Sequence, residues 1–265
     1  MKNTLRLIGI IVLVTLIGFS MAACGDSGSG DPSTPPHTHI PGAAATCTSA
    51  QTCTACGVVL QAASHTYGAW TVTTPPNFTT STAGEETGTC SVCAATGKRA
   101  YPVYNLGDTG PGGGKIFYRN GTAFGTNWYY LEAAANNMAT ILNWASAGKI
   151  NTLLTGTFGT AIGTGKANTV LILQAGNDPD APAAKACVDY RGPNNKDDWF
   201  LPSKDELNEM YTARTLLSIP SSGFFWSSSQ DTAGYAWGHY FLNGNQGSYN
   251  KDNNTVNRVR AVRAF

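Results

Sequence analysis

Asp198-Trp199-Phe200-Leu201-Pro202-Ser203-Lys204-Asp205-Glu206-Leu207 is where the architecture of this chain is most readable. Ser203 followed three residues later by Glu206 is a capping box, in which each side chain satisfies a backbone N–H that the start of a helix leaves orphaned. Leu207, Met210 and Tyr211 then recur at i, i+3 and i+4, the stripe by which a helix meets a core. Asp205 and Glu206 complement the positive helix start and are read in that role rather than as a catalytic pair. Upstream, Pro182–Tyr190 reads as a second helix, with Asp180 ahead of it, Pro182 in its first turn and Ala184, Cys187 and Val188 on one face. On this reading Cys187 is a small buried hydrophobe rather than a nucleophile, since no base lies near it in sequence.

Around these helices lie segments of β-prone residues bounded by breakers. They are Lys115–Tyr118, Trp128–Ala133, Phe224–Ser229, Ala236–Phe241 and Val256–Phe265, with Gly107–Gly114 punctuating a turn before the first. Two glycine stretches imitate phosphate loops and fail. Position 160 is Thr where a Walker A loop needs Gly, and Lys166 and Lys115 are followed by Ala167 and Ile116 where a magnesium-binding hydroxyl is required.

Cysteines mark a different region, residues 46–100. Cys53-x-x-Cys56 and Cys90-x-x-Cys93 repeat at a constant step of 37 residues, and Cys47 precedes the first pair. Two such turns have the spacing of a zinc-ribbon-like site, each presenting two thiolates to one tetrahedral ion. Disulfides are the competing reading, because an exported chain meets an oxidising compartment. Either staple is structural, since so short a module cannot build a sufficient core unaided. Glu85 and Glu86 are thin grounds for a catalytic metal. Cys47 is left as a further ligand, a disulfide partner or a free thiol. The His65-Thr-Tyr-Gly-Ala-Trp-Thr-Val72 strand between the pairs, with Thr52-Cys-Thr-Ala-Cys-Gly57, resembles the small cysteine-containing repeats of bacterial surface proteins. Those usually carry a cysteine near Phe78, which is missing here.

The amino terminus has Lys2 and Arg6, then the 13-residue apolar run Leu7–Phe19, then Met21-Ala22-Ala23-Cys24. The run is too short for a span of about 20 residues and has the layout of a secretory signal, residues 1–23. Met21–Cys24 resembles the lipobox of bacterial lipoproteins, which implies acylation of Cys24 and a lipid-anchored place in the cell envelope, facing periplasm or exterior. Ordinary secretion with cleavage near Ala23 is the alternative. Residues 24–45, dense in Gly, Ser, Pro and Thr, read as a flexible tether. His37 and His39 within it form an H-x-H pair that could touch a metal, but two imidazoles on a flexible strand are a weak site and read rather as incidental linker residues.

Composition narrows the partners. Setting aside Lys2 and Arg6, 15 basic side chains face 16 acidic ones, a balance that argues against nucleic acid as a ligand.

Five motifs spread over 101–265 carry a more specific resemblance. Tyr104–Pro111 (YNLGDTGP), Ile162–Thr169 (IGTGKANT), Asp198–Leu207, Phe225–Ser229 (FWSSS) and Val259–Arg263 (VRAVR) are similar, in order, to the C-terminal domain family of the collagen-like adhesin Lcl. More distantly they resemble the formylglycine-generating-enzyme and C-type-lectin-like fold. The resemblance implies an α+β domain with twisted antiparallel sheets and about two helices, preceded by the small β-rich cysteine-stapled module. It also implies binding of polysaccharide or host surfaces. An enzyme is not expected, because the sulfatase-modifying enzymes use two cysteines where this domain has only Cys187. A lectin-type calcium site is not expected either, since no Glu-Pro-Asn or Trp-Asn-Asp occurs. Arg258, Arg260 and Arg263 fall on both sides of an extended segment and read as buried or edge partners of acids. The ligand is expected at the polar loop Asn243–Asn254, with Trp237, Asn243, Gln246 and Tyr249 as contacts, because aromatic faces stack on sugars and amides bond their hydroxyls. A structural envelope protein with protein partners and no soluble ligand is the other reading.

Overall fold

A computed structural model describes residues 38–121, 128–138, 141–146, 148–157, 159–176, 181–219, 223–252 and 257–265. The signal segment, Cys24, His37, most of the tether, Asp180 and Asn253–Asn254 lie outside the described residues. Among those described, no helix is long and apolar enough to cross a membrane. The fold is α+β, with three helices and small sheets.

The chain divides into two compact units that are discontinuous in sequence. The first runs to Thr71 and adds Thr87–Lys98; the second comprises Val72–Glu86 and Arg99–Phe265. The boundary thus passes through strands rather than through a linker. β1 (Gln51–Thr52) pairs antiparallel with β2 (Val59–Gln61), and β3 (Tyr67–Thr74), β4 (Gly84–Cys90) and β5 (Thr96–Tyr101) form a three-stranded sheet in that order. In the first unit, Tyr67 and Trp70 meet at 5.0 Å between ring centroids. Gly97 and Gly88 leave room for these rings: a Cβ on Gly97 would fall 2.3 Å from Tyr67, and one on Gly88 3.0 Å from Trp70.

The second unit is built on two sheets. β6 (Lys115–Arg119), β7 (Tyr130–Ala133) and the closing strand form an antiparallel sheet with β7 central and a bulge between Ile116 and Tyr118. Helices α1 (Gly165–Gly176), α2 (Pro182–Asp189) and α3 (Lys204–Thr212) follow. β8 (Phe224–Gln230), β9 (Tyr235–Tyr240), β10 (Asn245–Asn250) and β11 (Asn257–Arg258) make the second sheet, in the order β10-β9-β8-β11, before β12 (Val262–Ala264) closes the first. Trp144, Trp199, Trp226, Leu201 and Cys187 are among the buried side chains of one core cluster; Phe117, Leu131, Leu207, Met210, Phe225 and Phe241 are among those of another.

The capping box forms as expected: Ser203 Oγ accepts from the Glu206 amide and the Glu206 carboxylate accepts from the Ser203 amide. Four expectations need correction. Among the described residues there are three helices where about two were expected, and the added one, α1, has its start held from elsewhere in the chain. Gly163 N–H, just ahead of it, donates at 2.8 Å to Glu206 Oε1, so a carboxylate from α3 holds the start of α1. That carboxylate sits where a phosphate loop would place its anion. Second, β11 runs parallel to β8, so the sheets are not wholly antiparallel. Third, Asn245–Asn250 is a strand rather than part of a loop; six consecutive pairings with β9 override a composition of turn formers. Fourth, the terminal strand breaks between Arg258 and Val262. There the Arg260 guanidinium turns inward to the carbonyls of Ala134 (2.6 Å), Ala135 (2.7 Å) and Leu217 (3.2 Å).

The glycine turn also gains a reason. Glu132 on β7 is fully buried, and its carboxylate accepts from Gly112 N–H at 3.0 Å and Gly114 N–H at 2.5 Å. A Cβ on Gly110 would meet that carboxylate at 2.5 Å, and one on Gly114 would fall 2.0 Å from the Ala133 carbonyl. Arg263 on β12 neutralises the charge, donating to Glu132 at 3.1 Å and, through two nitrogens, to Asp198 at 2.7 and 2.8 Å.

Candidate metal centres and a polar aromatic face

The first unit has almost no apolar interior. Ile40, Val58, Val59, Leu60 and Val92 are exposed, and among its described residues the only buried hydrophobic side chains are Cys53 and Cys90. Each is the leading cysteine of a C-x-x-C turn.

The two turns do not converge on one point, which corrects the expectation of a single shared tetrahedron. Cys90 and Cys93 gather with Cys47 and His65, all four ligand atoms lying within 4.8 Å of one another. Cys53 and Cys56 gather instead with His39 under the same limit. In the first cluster Cys47 Sγ lies 3.3 Å from Cys90 Sγ, and His65 Nδ1 lies 3.3 Å from Cys93 Sγ. A zinc tetrahedron with Zn–S bonds of about 2.3 Å has edges of about 3.8 Å. Three sulfurs and one imidazole nitrogen therefore need only small movements to surround an ion.

The electrostatics favour a thiolate here. Hydrogen bonds from the backbone at Cys93 and Val92 pull the Cys90 thiol down to about 5. The Cys90 and Cys93 sulfurs beside Cys47 push its thiol up to about 12. A divalent cation that binds here displaces the remaining thiol protons. A disulfide would engage two of the three sulfurs and give the imidazole nothing to do, whereas His with Cys is a zinc donor set.

His65, read only as part of a strand, is the residue sequence reasoning missed, and His39, weighed as a metal contact only with His37 and set aside as linker, meets the first cysteine turn instead. Their signal is a shared His-x-x-Gly, at His39–Gly42 and His65–Gly68. It is hidden because the two histidines are 26 residues apart while the cysteine turns are 37 apart.

In the second unit the expected ligand contacts separate. Trp237 on β9 pairs with Ser248 on β10, and His239 with Gln246, so these four side chains share one sheet face. Tyr249 pairs with Ala236 and projects from the opposite face, where it packs on Phe224 (5.0 Å) and Trp226 (6.4 Å) in the space left by Gly238 and Gly247. Asn243 accepts a hydrogen bond from the Asn245 amide, which shapes the β9–β10 turn. On the first face the Lys204 ammonium lies 3.4 Å from the centroid of the half-buried Trp237 ring, the Gln246 amide donates to the Lys204 carbonyl, and Ser248 Oγ donates to Asp231. Indole, ammonium, amide, hydroxyl and carboxylate form a single patch.

Three strongly displaced ionisable groups of this unit are sealed inside it. Burial pushes Glu206 up to about 7, His239 down to about 4 and Lys251 down to about 8, and all three side chains are fully buried. Lys251 Nζ donates to the Thr152 and Ala233 carbonyls and to Gln230 Oε1. Burial likewise raises the Cys187 thiol, which lies in the core as expected.

No protein-family model matches the chain. No curated protein sequence matches it. Among solved structures the chain is similar to a fimbrial protein from Bacteroides ovatus, at 11% identity and a TM-score of 0.42, over 70% of this chain. The match covers 57% of that protein, so this chain spans little more than half its length. Likeness at that level carries no argument about activity.

Proposed function

We propose that this chain is a binding protein of the cell envelope, held to a membrane by lipid on Cys24. Its second unit presents the Trp237 patch to polysaccharide or host-matrix glycans, and its first unit is a spacer stapled by zinc at Cys47, His65, Cys90 and Cys93. The observation that supports binding most is the patch itself: a half-exposed indole beside Lys204, Gln246, Ser248 and Asp231 on two paired strands. Indole stacks on the apolar face of a sugar ring, amide, hydroxyl and carboxylate match its hydroxyls, and an ammonium suits a sulfate. Binding is favoured over catalysis because Glu206, His239 and Lys251, whose titration burial displaces, are enclosed by the scaffold and present nothing to a substrate.

The test is a glycan array probed with the full mature chain. Trp237→Ala is expected to weaken retained binding by about 2- to 10-fold, in keeping with about 0.5–1.5 kcal/mol for a lost stacking partner. Tyr249→Phe should leave it unchanged, since that ring packs on the other sheet face. Absence of binding to any glycan, with stable protein partners captured instead, would replace this reading with that of a structural envelope protein.

A further inference from the structure

The geometry points to a duplicated metal-binding element in the first unit, whose two copies each hold a zinc-class ion, so that His39, Cys53 and Cys56 form a second centre separate from that of Cys47, His65, Cys90 and Cys93. The inference rests on the zinc reading of the latter cluster in one respect: both copies use the same chemistry.

The backbone carries the argument. Thr54 N–H donates to the Ile40 carbonyl at 3.0 Å, and Ser91 N–H to the Thr66 carbonyl at 3.0 Å. Each donor follows the leading cysteine and each acceptor follows the histidine. The Gly57 amide donates to Cys53 O at 2.9 Å and the Ala94 amide to Cys90 O at 3.0 Å, closing the two turns alike. Cys53 N–H reaches the Val58 carbonyl at 2.8 Å and Cys90 N–H the Ala95 carbonyl at 2.9 Å. Residues Gly57 and Ala94 both have positive φ, 72° and 60°, so the second turn keeps this conformation with an alanine, whose Cβ disfavours it.

Side chains follow the same correspondence. His39 Nδ1 lies 3.5 Å from Cys56 Sγ as His65 Nδ1 lies 3.3 Å from Cys93 Sγ, the trailing cysteine in both copies. The copies differ in one ligand, because Cys47 joins the cluster of His65, Cys90 and Cys93. Two thiolates and a neutral imidazole around a divalent ion give a neutral centre; three thiolates and an imidazole give a singly negative one. Cysteine and histidine together select zinc over the hard cations calcium and magnesium, which take oxygen. One ion shared between the C-x-x-C turns would leave both histidines without a role beside their sulfurs.

The experiment measures zinc per chain by inductively coupled plasma mass spectrometry on the full mature protein purified under reducing conditions. Two ions are expected for the native sequence and one for each of Cys53→Ser/Cys56→Ser and Cys90→Ser/Cys93→Ser. Cadmium-113 NMR of the native protein guards against variants that fail to fold: two resonances are expected, split because the sulfur counts differ. A single ion and a single resonance, lost in both double variants, would overturn the duplication while sparing the staple. One ion that survives Cys53→Ser/Cys56→Ser and is lost in Cys90→Ser/Cys93→Ser would remove the His39 centre alone. No metal together with no titratable thiols would overturn both readings in favour of disulfides.

Discussion

The two units of this chain hold themselves together by different physics. The second has three hydrophobic clusters, buried tryptophans and an internal ion network. Among its described residues the first buries two cysteines and leaves Ile40, Val58, Val59, Leu60 and Val92 exposed. At about 25 cal/mol per Å² of apolar surface removed from water, the second unit has an ordinary source of stability and the first has almost none. What the first offers instead is sulfur and imidazole at ligand distance. Small modules that cannot bury enough surface depend on such staples.

The largest effect that would break this contrast is metal removal. If zinc staples the first unit, stripping it forfeits on the order of 10 kcal/mol of binding free energy there. Amide exchange should then show residues 38–71 and 87–98 losing protection while the core strands β6–β9 keep theirs. Equal loss in both units would show that the first has a source of stability other than the ion.

Next in size is Arg263→Ala. Glu132 would be left charged and fully buried, against two glycine amides but without its cation, at an expected cost of about 3–5 kcal/mol. The denaturation midpoint of the second unit should fall while the zinc content of the first is unchanged. A loss under about 1 kcal/mol would mean that the amides of Gly112 and Gly114 suffice to hold the charge.

A smaller loss, about 2–3 kcal/mol, is expected for Glu206→Ala, which uncaps α3 and strands the Gly163 amide at the start of α1. The same residue gives the second unit a pH signature. Burial raises its carboxyl to about 7 from the ordinary 4.5, so the folded state keeps a proton that the unfolded state has already released. Its contribution to stability is therefore full below about pH 4.5 and declines as pH rises to about 7. Unfolding free energies measured across that window should slope downward in the native protein and lose that slope in Glu206→Ala.

How much of this was legible in the sequence depended on how far apart the interacting residues lie. Ser203 and Glu206 are three residues apart, and their capping box, with the stripe Leu207 and Met210 behind it, was readable because a helix start is a local arrangement. The strands at Lys115, Phe224 and Ala236 were readable for the same reason. So was each C-x-x-C turn, since four residues bring its sulfurs together. Helix α1 escaped because its cap comes from Glu206, some forty residues on, and Gly165, Asn168 and Thr169 are weak helix formers. Strand β10 escaped because Asn, Gly and Ser look like turn chemistry until a partner strand supplies the pairing. Trp237 and Tyr249 seemed one aromatic pair until register set them on opposite faces.

By itself, then, the sequence determined the classes of element, the α+β mixture and the presence of two thiol turns, all of which follow from interactions within one turn of chain. Only the tertiary structure decided which histidine meets which cysteines, that the two turns gather into separate clusters, and that buried Glu132 is answered by Arg263. Those pairings span tens of residues, and chain closure over such distances is set by the packing of the whole unit rather than by any local preference.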